Sequence, residues 1–184
     1  MTESRLVIRD ATTADRAGIE AVEAAAFGAE GELIVTLLRE LERDCRASLV
    51  AEVDGRIVGH VQLNLSWLDA PTSLVQVAVL SPLAVLPERQ GTGIGTVLVA
   101  SALVRAEADG WPMVFLEGDP GYYASRGFRP ARPLGFAAPS DRIPGDAFQV
   151  ALLSSAREWM RGRLVYCDAF WRHDCVGLRP PIED

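Results

Sequence analysis

The sequence of 184 residues contains no lysine, and all 18 of its basic residues are arginine. A basic side chain that contacts a phosphate must therefore be an arginine, or else the backbone must bind the anion. The absence of lysine also excludes the ATP- or GTP-binding loop G-x-x-x-x-G-K-[ST], in which the lysine reaches the phosphates.

Cysteine and histidine are scarce. The cysteines are Cys45, Cys167 and Cys175, and the histidines are His60 and His173. An odd number of cysteines without a C-x-x-C pair is a poor disulfide framework. A structural zinc site needs four ligands at a recognisable spacing, which these residues do not offer. We therefore predict neither a disulfide framework nor a metal site.

Long apolar runs are also absent. None reaches the ~18–20 residues that cross a bilayer, and the polar start MTESRLVIRD lacks the apolar core of a signal peptide. The formal net charge is -7, whereas proteins that bind a nucleic-acid backbone are usually basic. We therefore expect a cytoplasmic protein with neither a membrane nor a nucleic acid as partner.

The N-terminal third of the chain predicts one strand and two helices. A strand is expected over residues 6–9, and Thr12 and Asp15 form a capping signal for a helix that stops at Gly28. Apolar residues at helical spacing predict a second helix over residues 32–43. We expect the charged residues between these apolar positions to face solvent.

A hairpin follows. Strands are predicted over residues 48–53 and 56–65, with Asp54 and Gly55 as a two-residue turn. Because Gln62 and Asn64 alternate with apolar residues, one face of the second strand should be buried and the other polar. His60 is expected to be a half-buried residue of this strand.

The rest of the chain alternates strands and helices, which indicates a mixed α/β fold. An apolar stretch over residues 74–87 is expected to be interrupted or bulged at Ser81-Pro82. A helix over residues 93–109, a strand over residues 113–116, a short helix capped by Asp119 and a strand over residues 148–153 follow.

The stretch QGTGIG, residues 90–95, joins an apolar strand to an apolar helix. Its small residues allow backbone N–H groups to approach a phosphate closely, and the helix points its N-terminus at the anion. The dinucleotide fingerprint G-x-G-x-x-G fits poorly, because Thr96 stands where the third glycine belongs.

The same stretch satisfies [Q/R]-x-x-G-x-[G/A] and follows Val85-Leu86-Pro87. It resembles the acetyl-CoA loop of the GCN5-related N-acetyltransferase (GNAT) superfamily. The segment GDPGYYASRGFRPA, residues 118–131, is similar to the Tyr-x-x-x-Gly-Phe segment of that superfamily, with Tyr123 at the tyrosine position. Together with Gly59-His60-Val61, these motifs resemble the YhbS-like subgroup of predicted acetyltransferases over residues 5–155.

The resemblance implies a mostly antiparallel central sheet of six to seven strands, flanked by helices and splayed at the acetyl-CoA strand. It implies an enzyme that transfers an acetyl group from acetyl-CoA to an amine by direct attack. In this family the splayed strand bonds the pantetheine arm, the loop holds the pyrophosphate and a tyrosine protonates the thiolate. Carried over to this sequence, the pantetheine residues are Leu83, Ala84 and Val85, the loop residues are Gln90, Gly91, Thr92, Gly93, Ile94, Gly95 and Thr96, and the acid is Tyr123.

Several points stay open at the level of the sequence. The general base could be His60, Glu117 or water, and the acceptor could be a small molecule or a protein amine. An alternative function is a non-catalytic acyl-CoA-binding or regulatory module, and a nucleotide-binding domain is a weaker one. We expect a monomer or homodimer, with a catalytic domain over residues 1–155 and a C-terminal extension over residues 156–184 that packs on it and frays at its end.

Overall fold

The computed structural model describes residues 5–179. The fraying predicted for the last residues falls partly on residues 180–184, which lie outside this range. The chain divides into two compact units, which are described separately below. The first contains the chain up to Asn64 together with Leu80–Asp109, and the second contains Leu65–Val79 together with the chain from Gly110 onward.

The first unit combines a sheet with three α-helices. Its strands follow the order β1-β2-β3-β4, and the β1–β2 and β2–β3 pairs are antiparallel. Two long strands, β3 and β4, pass from this unit into the second one. The elements are β1 (Leu6–Asp10), α1 (Arg16–Phe27), α2 (Gly31–Glu40), β2 (Cys45–Val53), β3 (Arg56–Asp69), β4 (Leu74–Val85) and α3 (Ile94–Ala108).

The capping signal predicted before α1 is present. The backbone N–H of Thr12 donates to Oδ2 of Asp15 over 2.7 Å, and a short 3-10 turn leads into the helix. The same carboxylate accepts two hydrogen bonds from Arg9 of β1, at 2.7 and 2.8 Å. These hydrogen bonds hold the pKa of Asp15 well below its usual range.

The hairpin predicted at Asp54-Gly55 is also confirmed. Both residues have positive φ angles, 50° and 79°, and Val53 pairs directly with Arg56. Two successive positive φ angles characterise the tight turn whose twist matches antiparallel strands.

Two expectations about solvent exposure are wrong. Glu23 of α1 was expected to face solvent but is fully buried. The polar face of β3 is buried as well, since His60, Gln62 and Asn64 are each no more than 5% exposed. Hydrogen bonds make this burial tolerable: Gln62 donates to Asn64 over 2.7 Å, and Asn64 donates to the carbonyl of Ser81 over 2.5 Å.

The strand β4 is continuous through Ser81-Pro82, so the predicted interruption does not occur. The peptide bond between these residues is cis. Close packing brings α3 to the sheet at Gly59 of β3. A Cβ at that position would lie 2.9 Å from Cδ1 of Leu98 and 3.2 Å from the carbonyl oxygen of Ala84. Glycine leaves room for α3 and the end of β4 to come this close to the backbone of β3.

The second unit contains the remaining strands and two short helices. Its strands follow the order β3-β4-β5-β8-β6, with β9 paired to β3 and β7 paired to β9. Its further elements are β5 (Met113–Glu117), α4 (Pro120–Tyr123), β6 (Arg129–Pro130), β7 (Phe136–Ala137), β8 (Phe148–Leu152), β9 (Gly162–Val165) and α5 (Asp168–Arg172).

Aromatic rings form part of the core of this unit. The ring of Phe115 in β5 stacks on Phe148 of β8, with 5.5 Å between centroids, and meets Phe136 edge to face at 5.1 Å. All three residues are no more than 3% exposed.

The C-terminal segment contributes a strand rather than only packing on the sheet. In β9, Val165 pairs with Trp67 and Arg163 pairs with Asp69 of β3. This strand and the two-residue strands β6 and β7 raise the number of strands in residues 5–179 to nine, against the predicted six to seven. The pairs β1–β2, β2–β3, β3–β9, β5–β8 and β6–β8 are antiparallel, and the pairs β4–β5 and β7–β9 are parallel. The predicted mixed α/β fold with a mostly antiparallel sheet is therefore confirmed.

Candidate active site

The glycine loop of the first unit has the backbone that its sequence requires. Gly91 and Gly93 have φ angles of 75° and 90°, a region that residues with a Cβ rarely adopt. A Cβ built at either position would meet no atom within 4 Å. The glycines are therefore needed for the path of the backbone, and the space beside them is open.

The loop ends at the N-terminus of α3, a helix of 15 residues whose N-cap is Gly93. No side chain caps this end, and the first turn carries no acidic residue. The first N–H groups of a helix lack intrahelical partners, and the helix dipole favours an anion there. The predicted loop residues Ile94, Gly95 and Thr96 form this first turn, so the loop and the helix together fit a phosphate group.

Two polar side chains of the loop fix its path. Nε2 of Gln90 donates to the carbonyl of Val85 over 3.1 Å, and Oγ1 of Thr92 donates to the carbonyl of Arg89 over 2.6 Å. Gln90 therefore ties the loop to the end of β4. The family resemblance implied that both residues bind the cofactor, which stays a prediction, and it did not indicate these bracing contacts.

The segment predicted to bond the pantetheine arm lies at the end of β4. Ala84 is 2% exposed, while Leu83 and Val85 are half-buried. Directly after it, the backbone N–H of Leu86 donates to the carbonyl of Val58 in β3 over 2.9 Å. The strand end is thereby held against β3.

Three polar side chains, from α1, β3 and β2, form a hydrogen-bonded chain. Nδ1 of His60 is 2.6 Å from Oε1 of Glu23, and its Nε2 is 2.9 Å from Oγ of Ser48 in β2. His60 and Glu23 are both fully buried. Both ring nitrogens of His60 are therefore engaged, and no part of the imidazole reaches solvent.

Burial raises the pKa of Glu23, and the hydrogen bond with His60 opposes that rise. Oε2 of the same carboxyl group is buried without a hydrogen-bond partner. The sequence does indicate that Glu23 needs a buried partner, although it does not indicate which one. Glu23 falls at the helical spacing of Ile19, Val22 and Ala26, so a carboxylate stands within the apolar stripe of α1 and needs a partner there.

In the second unit, Tyr123 closes the short helix α4. Its ring packs edge to face against Tyr122 and Phe128, at centroid distances of 4.9 and 5.7 Å. Burial raises its pKa to about 12. The phenol therefore stays protonated, as a proton donor must, throughout the neutral range.

The position of Tyr123 is set by residues that the sequence identified. The carboxylate of Asp119 accepts from the backbone N–H of Gly121 over 2.9 Å, which confirms Asp119 as the cap of α4. Gly127 closes the helical segment with a φ of 90°. The guanidinium of Arg126 lies 3.7 Å above the ring of Tyr122.

Glu117 ends β5 and is half-buried. The hydroxyl of Tyr166, which follows β9, donates to Oε1 of Glu117 over 2.7 Å. Burial raises the pKa of Glu117, while the hydrogen bonds from Tyr166 and from the backbone of Gly177 oppose that rise. Nothing in the sequence indicates that the C-terminal segment reaches this residue.

Within residues 5–179, no group of three or more His, Cys, Asp or Glu side chains could hold a metal ion. In the same range, every helix is either too short or too polar to cross a membrane.

Comparisons with known proteins agree with these features. A family model described as Acetyltransferase (GNAT) family matches residues 17–136. The uncharacterized N-acetyltransferase YjhQ of Escherichia coli (strain K12) is 32% identical over 142 residues, which cover 76% of this chain and 78% of that protein.

Solved structures are similar over nearly the whole chain. The GNAT family N-acetyltransferase YhbS of Escherichia coli, in complex with CoA, superimposes with a TM-score of 0.82 at 26% identity, covering 94% of this chain and 95% of that one. A GNAT family acetyltransferase from Brucella melitensis, in complex with acetyl-CoA, has a TM-score of 0.70 at 29% identity, covering 90% and 98%. The resemblance drawn from the motifs is thus confirmed.

Proposed function

Because the chain belongs to the acetyltransferase (GNAT) family, we propose that it transfers the acetyl group of acetyl-CoA to a primary amine of a small molecule or protein. The observation that supports this most directly is the loop at Gly91–Thr96. Its open, positive-φ backbone leads into a helix N-terminus that no side chain caps. Such an arrangement suits a pyrophosphate, and it needs no lysine.

Specific residues have separate roles in this proposal. The backbone of residues 91–96 would hold the pyrophosphate of acetyl-CoA, with Gln90 and Thr92 fixing the loop around it. The backbone of Leu83, Ala84 and Val85 would bond the pantetheine arm as a neighbouring strand would. The divergence of β4 from β5 that this role requires stays a prediction. The thioester supplies an activated acyl group, and the protein's contribution is to bind, orient and move protons.

Tyr123 is the proposed proton donor to the leaving thiolate. Its buried phenol, with a pKa of about 12, is protonated at the pH at which the reaction would run. The amine attacks the acetyl carbonyl directly, so that the N–C bond forms as the C–S bond breaks. This route requires no covalent intermediate with a side chain.

Two measurements test the proposal. Isothermal titration calorimetry should show binding of acetyl-CoA. The matched control, a titration with NAD, should show no binding. Release of free thiol should then be followed over a panel of primary amines, including a peptide with a lysine side chain. A wild-type protein that does not bind acetyl-CoA contradicts the proposal. One that binds it but acetylates no amine supports the alternative of a non-catalytic acyl-CoA-binding module.

A further inference from the structure

We propose that Ser48 and His60 form a second catalytic centre, in which Ser48 is the nucleophile, His60 is its base and Glu23 positions the base, and that this centre hydrolyses esters of short carboxylic acids. The acetyl transfer proposed above uses none of these three side chains, so the two activities are tested separately.

The three side chains have the contacts that a nucleophilic serine requires. Oγ of Ser48 lies 2.9 Å from Nε2 of His60, and Nδ1 of the same ring lies 2.6 Å from Oε1 of Glu23. A hydroxyl, an imidazole and a carboxylate linked in this order through the two ring nitrogens are recognised as a catalytic triad by their geometry, whatever their order in the sequence. Here they come from β2, β3 and α1 of the first unit.

The carboxylate sets the tautomer of His60. An ionised carboxyl group only accepts hydrogen bonds, so Nδ1 donates to Glu23, and Nε2 of the neutral ring then accepts from the hydroxyl of Ser48. Within residues 5–179, Oε2 of Glu23 is buried without a hydrogen-bond partner. The charge of Glu23 is therefore directed at His60, and it stabilises the imidazolium that forms when the ring takes a proton.

The nucleophile is the member of this chain that reaches solvent. Ser48 is half-buried, whereas His60 and Glu23 are fully buried. Water therefore does not compete for the ring nitrogens, and an incoming ester meets the hydroxyl first. The neighbouring side chain of Gln62 is only 5% exposed, so the space beside Ser48 favours a short acyl chain.

Gln62 supplies the hydrogen-bond donor that the reaction also needs. It pairs directly with Ser48 in the antiparallel register of β2 and β3, which puts both side chains on one face of the sheet with about 5 Å between their Cβ atoms. Nε2 of Gln62 carries two hydrogens, and one of them bonds Oδ1 of Asn64 over 2.7 Å. The second hydrogen is the donor to the oxygen of the attacked carbonyl, a role that side-chain amides fill in oxyanion holes.

The reaction balances in two steps. In the first, Oγ of Ser48 bonds the acyl carbon while its proton passes to Nε2 of His60, and the ester C–O bond breaks as that proton goes to the departing alcohol. In the second, water gives one proton to Nε2, its oxygen bonds the acyl carbon, and the acid leaves as Oγ recovers the proton. One ester and one water thus yield one acid and one alcohol.

The first test uses the full-length protein and p-nitrophenyl acetate without CoA, so that acetyl transfer does not contribute. We expect catalysed hydrolysis, which Ser48→Ala should lower at least about 100-fold, because loss of a triad nucleophile removes most of the rate enhancement. Ser101→Ala, at a position of α3 that is also half-buried, is the matched control and should keep the wild-type rate.

The kinetics of Glu23→Gln test the positioning role. An amide in place of the carboxylate favours the wrong tautomer of the ring, so kcat for the ester should fall at least about tenfold. KM should stay unchanged, because Glu23 acts on His60 and not on the ester. A merely structural role of Glu23 would change kcat and KM together, or neither.

A covalent probe identifies the nucleophile directly. A fluorophosphonate reacts with an activated serine: the O–P bond forms as fluoride leaves, and His60 takes the hydroxyl proton. The intact mass should rise by one phosphonyl group per chain, and peptide mapping should place that group on Ser48 and not on Ser101. Protein unfolded in urea should not be labelled, because the triad exists only in the folded chain.

Two results would overturn the inference: folded wild-type protein that is not labelled at Ser48, or a wild-type rate of ester hydrolysis in Ser48→Ala. Thermal melting of each variant separates lost chemistry from lost folding. Should a variant not fold, the labelling of Ser48 against Ser101 in the wild type decides. Failure of the proposed function is a different observation, since it is measured with acetyl-CoA and amines that these assays do not contain.

Discussion

Glu23 and His60 meet in the interior of the first unit, with 2.6 Å between Oε1 and Nδ1, although neither residue is exposed to solvent at all. Their hydrogen bond joins α1 to β3. Burying either the carboxyl group or the imidazole alone would lower the stability of the fold. Their hydrogen bond offsets part of that loss for both groups.

Removing one partner should therefore cost more than removing both. We expect Glu23→Ala to lower the free energy of unfolding by about 3–5 kcal/mol, because it leaves His60 without its buried partner. The double change Glu23→Leu with His60→Leu should restore part of that loss, since apolar side chains need no partner. Urea denaturation of the wild type, Glu23→Ala, Glu23→Leu, His60→Leu and the double variant provides the measurement. Strict additivity of the single changes would contradict the coupling.

The loop prediction has a close internal control. Gly93 and Gly110 stand at opposite ends of α3, with φ angles of 90° and 80°, and a Cβ at either would touch nothing within 4 Å. Alanine at either position should lower stability similarly, by about 1–2 kcal/mol. Only Gly93→Ala should weaken acetyl-CoA binding, by at least about tenfold, a change that needs only ~1.4 kcal/mol. Equal calorimetric affinities in the two variants would remove the loop assignment.

Tyr123→Phe tests the proposed acid. We expect kcat to fall about 100-fold, the size of a general-acid contribution, while acetyl-CoA binding is unchanged. Because burial raises the pKa of Tyr123 to about 12, this group should cause no loss of kcat as the pH rises toward the ordinary phenol value of about 10. An alkaline limb near neutrality that disappears in Tyr123→Phe would contradict the assignment.

Gly118→Ala tests the same tyrosine through its surroundings. The added Cβ would collide with the ring of Tyr123, so the ring must move and kcat should fall about tenfold, which corresponds to ~1.4 kcal/mol in the barrier. Gly121→Ala is the control. A Cβ at that position would lie 3.3 Å from Oδ1 of Asp119, a much weaker clash than the one at Gly118. Equal kcat values in the two variants would show that the ring position is unimportant.

The cap at Asp15 predicts a pH-dependent stability. The pKa of this carboxyl is lowered in the folded protein by Arg9 and Thr12. Its stabilisation is therefore complete above the unfolded pKa of about 4, and is lost as the pH falls through the lower folded pKa. Asp15→Asn should melt a few degrees lower than the wild type at pH 7, and the gap should close in acid. Asp146→Asn, at an exposed position, should show no such gap.

The elements that the sequence predicted well are those with local causes. The Asp54-Gly55 turn, the cap at Asp119 and the glycine loop each depend on backbone preferences of the residues themselves. The contact between Glu23 and His60 could not be predicted in this way, because it joins positions 37 residues apart and depends on how α1 packs. The strand β9 is not predictable from local sequence because its four residues pair with β3, about a hundred positions earlier.

The absence of lysine has a consequence for an acetyltransferase. The pairs of Arg9 with Asp15 and of Arg39 with Glu20 hold α1 to its neighbours through guanidinium groups, which remain protonated and are poor nucleophiles. The sequence offers no side-chain primary amine at all. An acetyl donor bound at the loop thus finds no acceptor of its proposed class among the protein's own side chains, and these ion pairs are protected from self-acetylation.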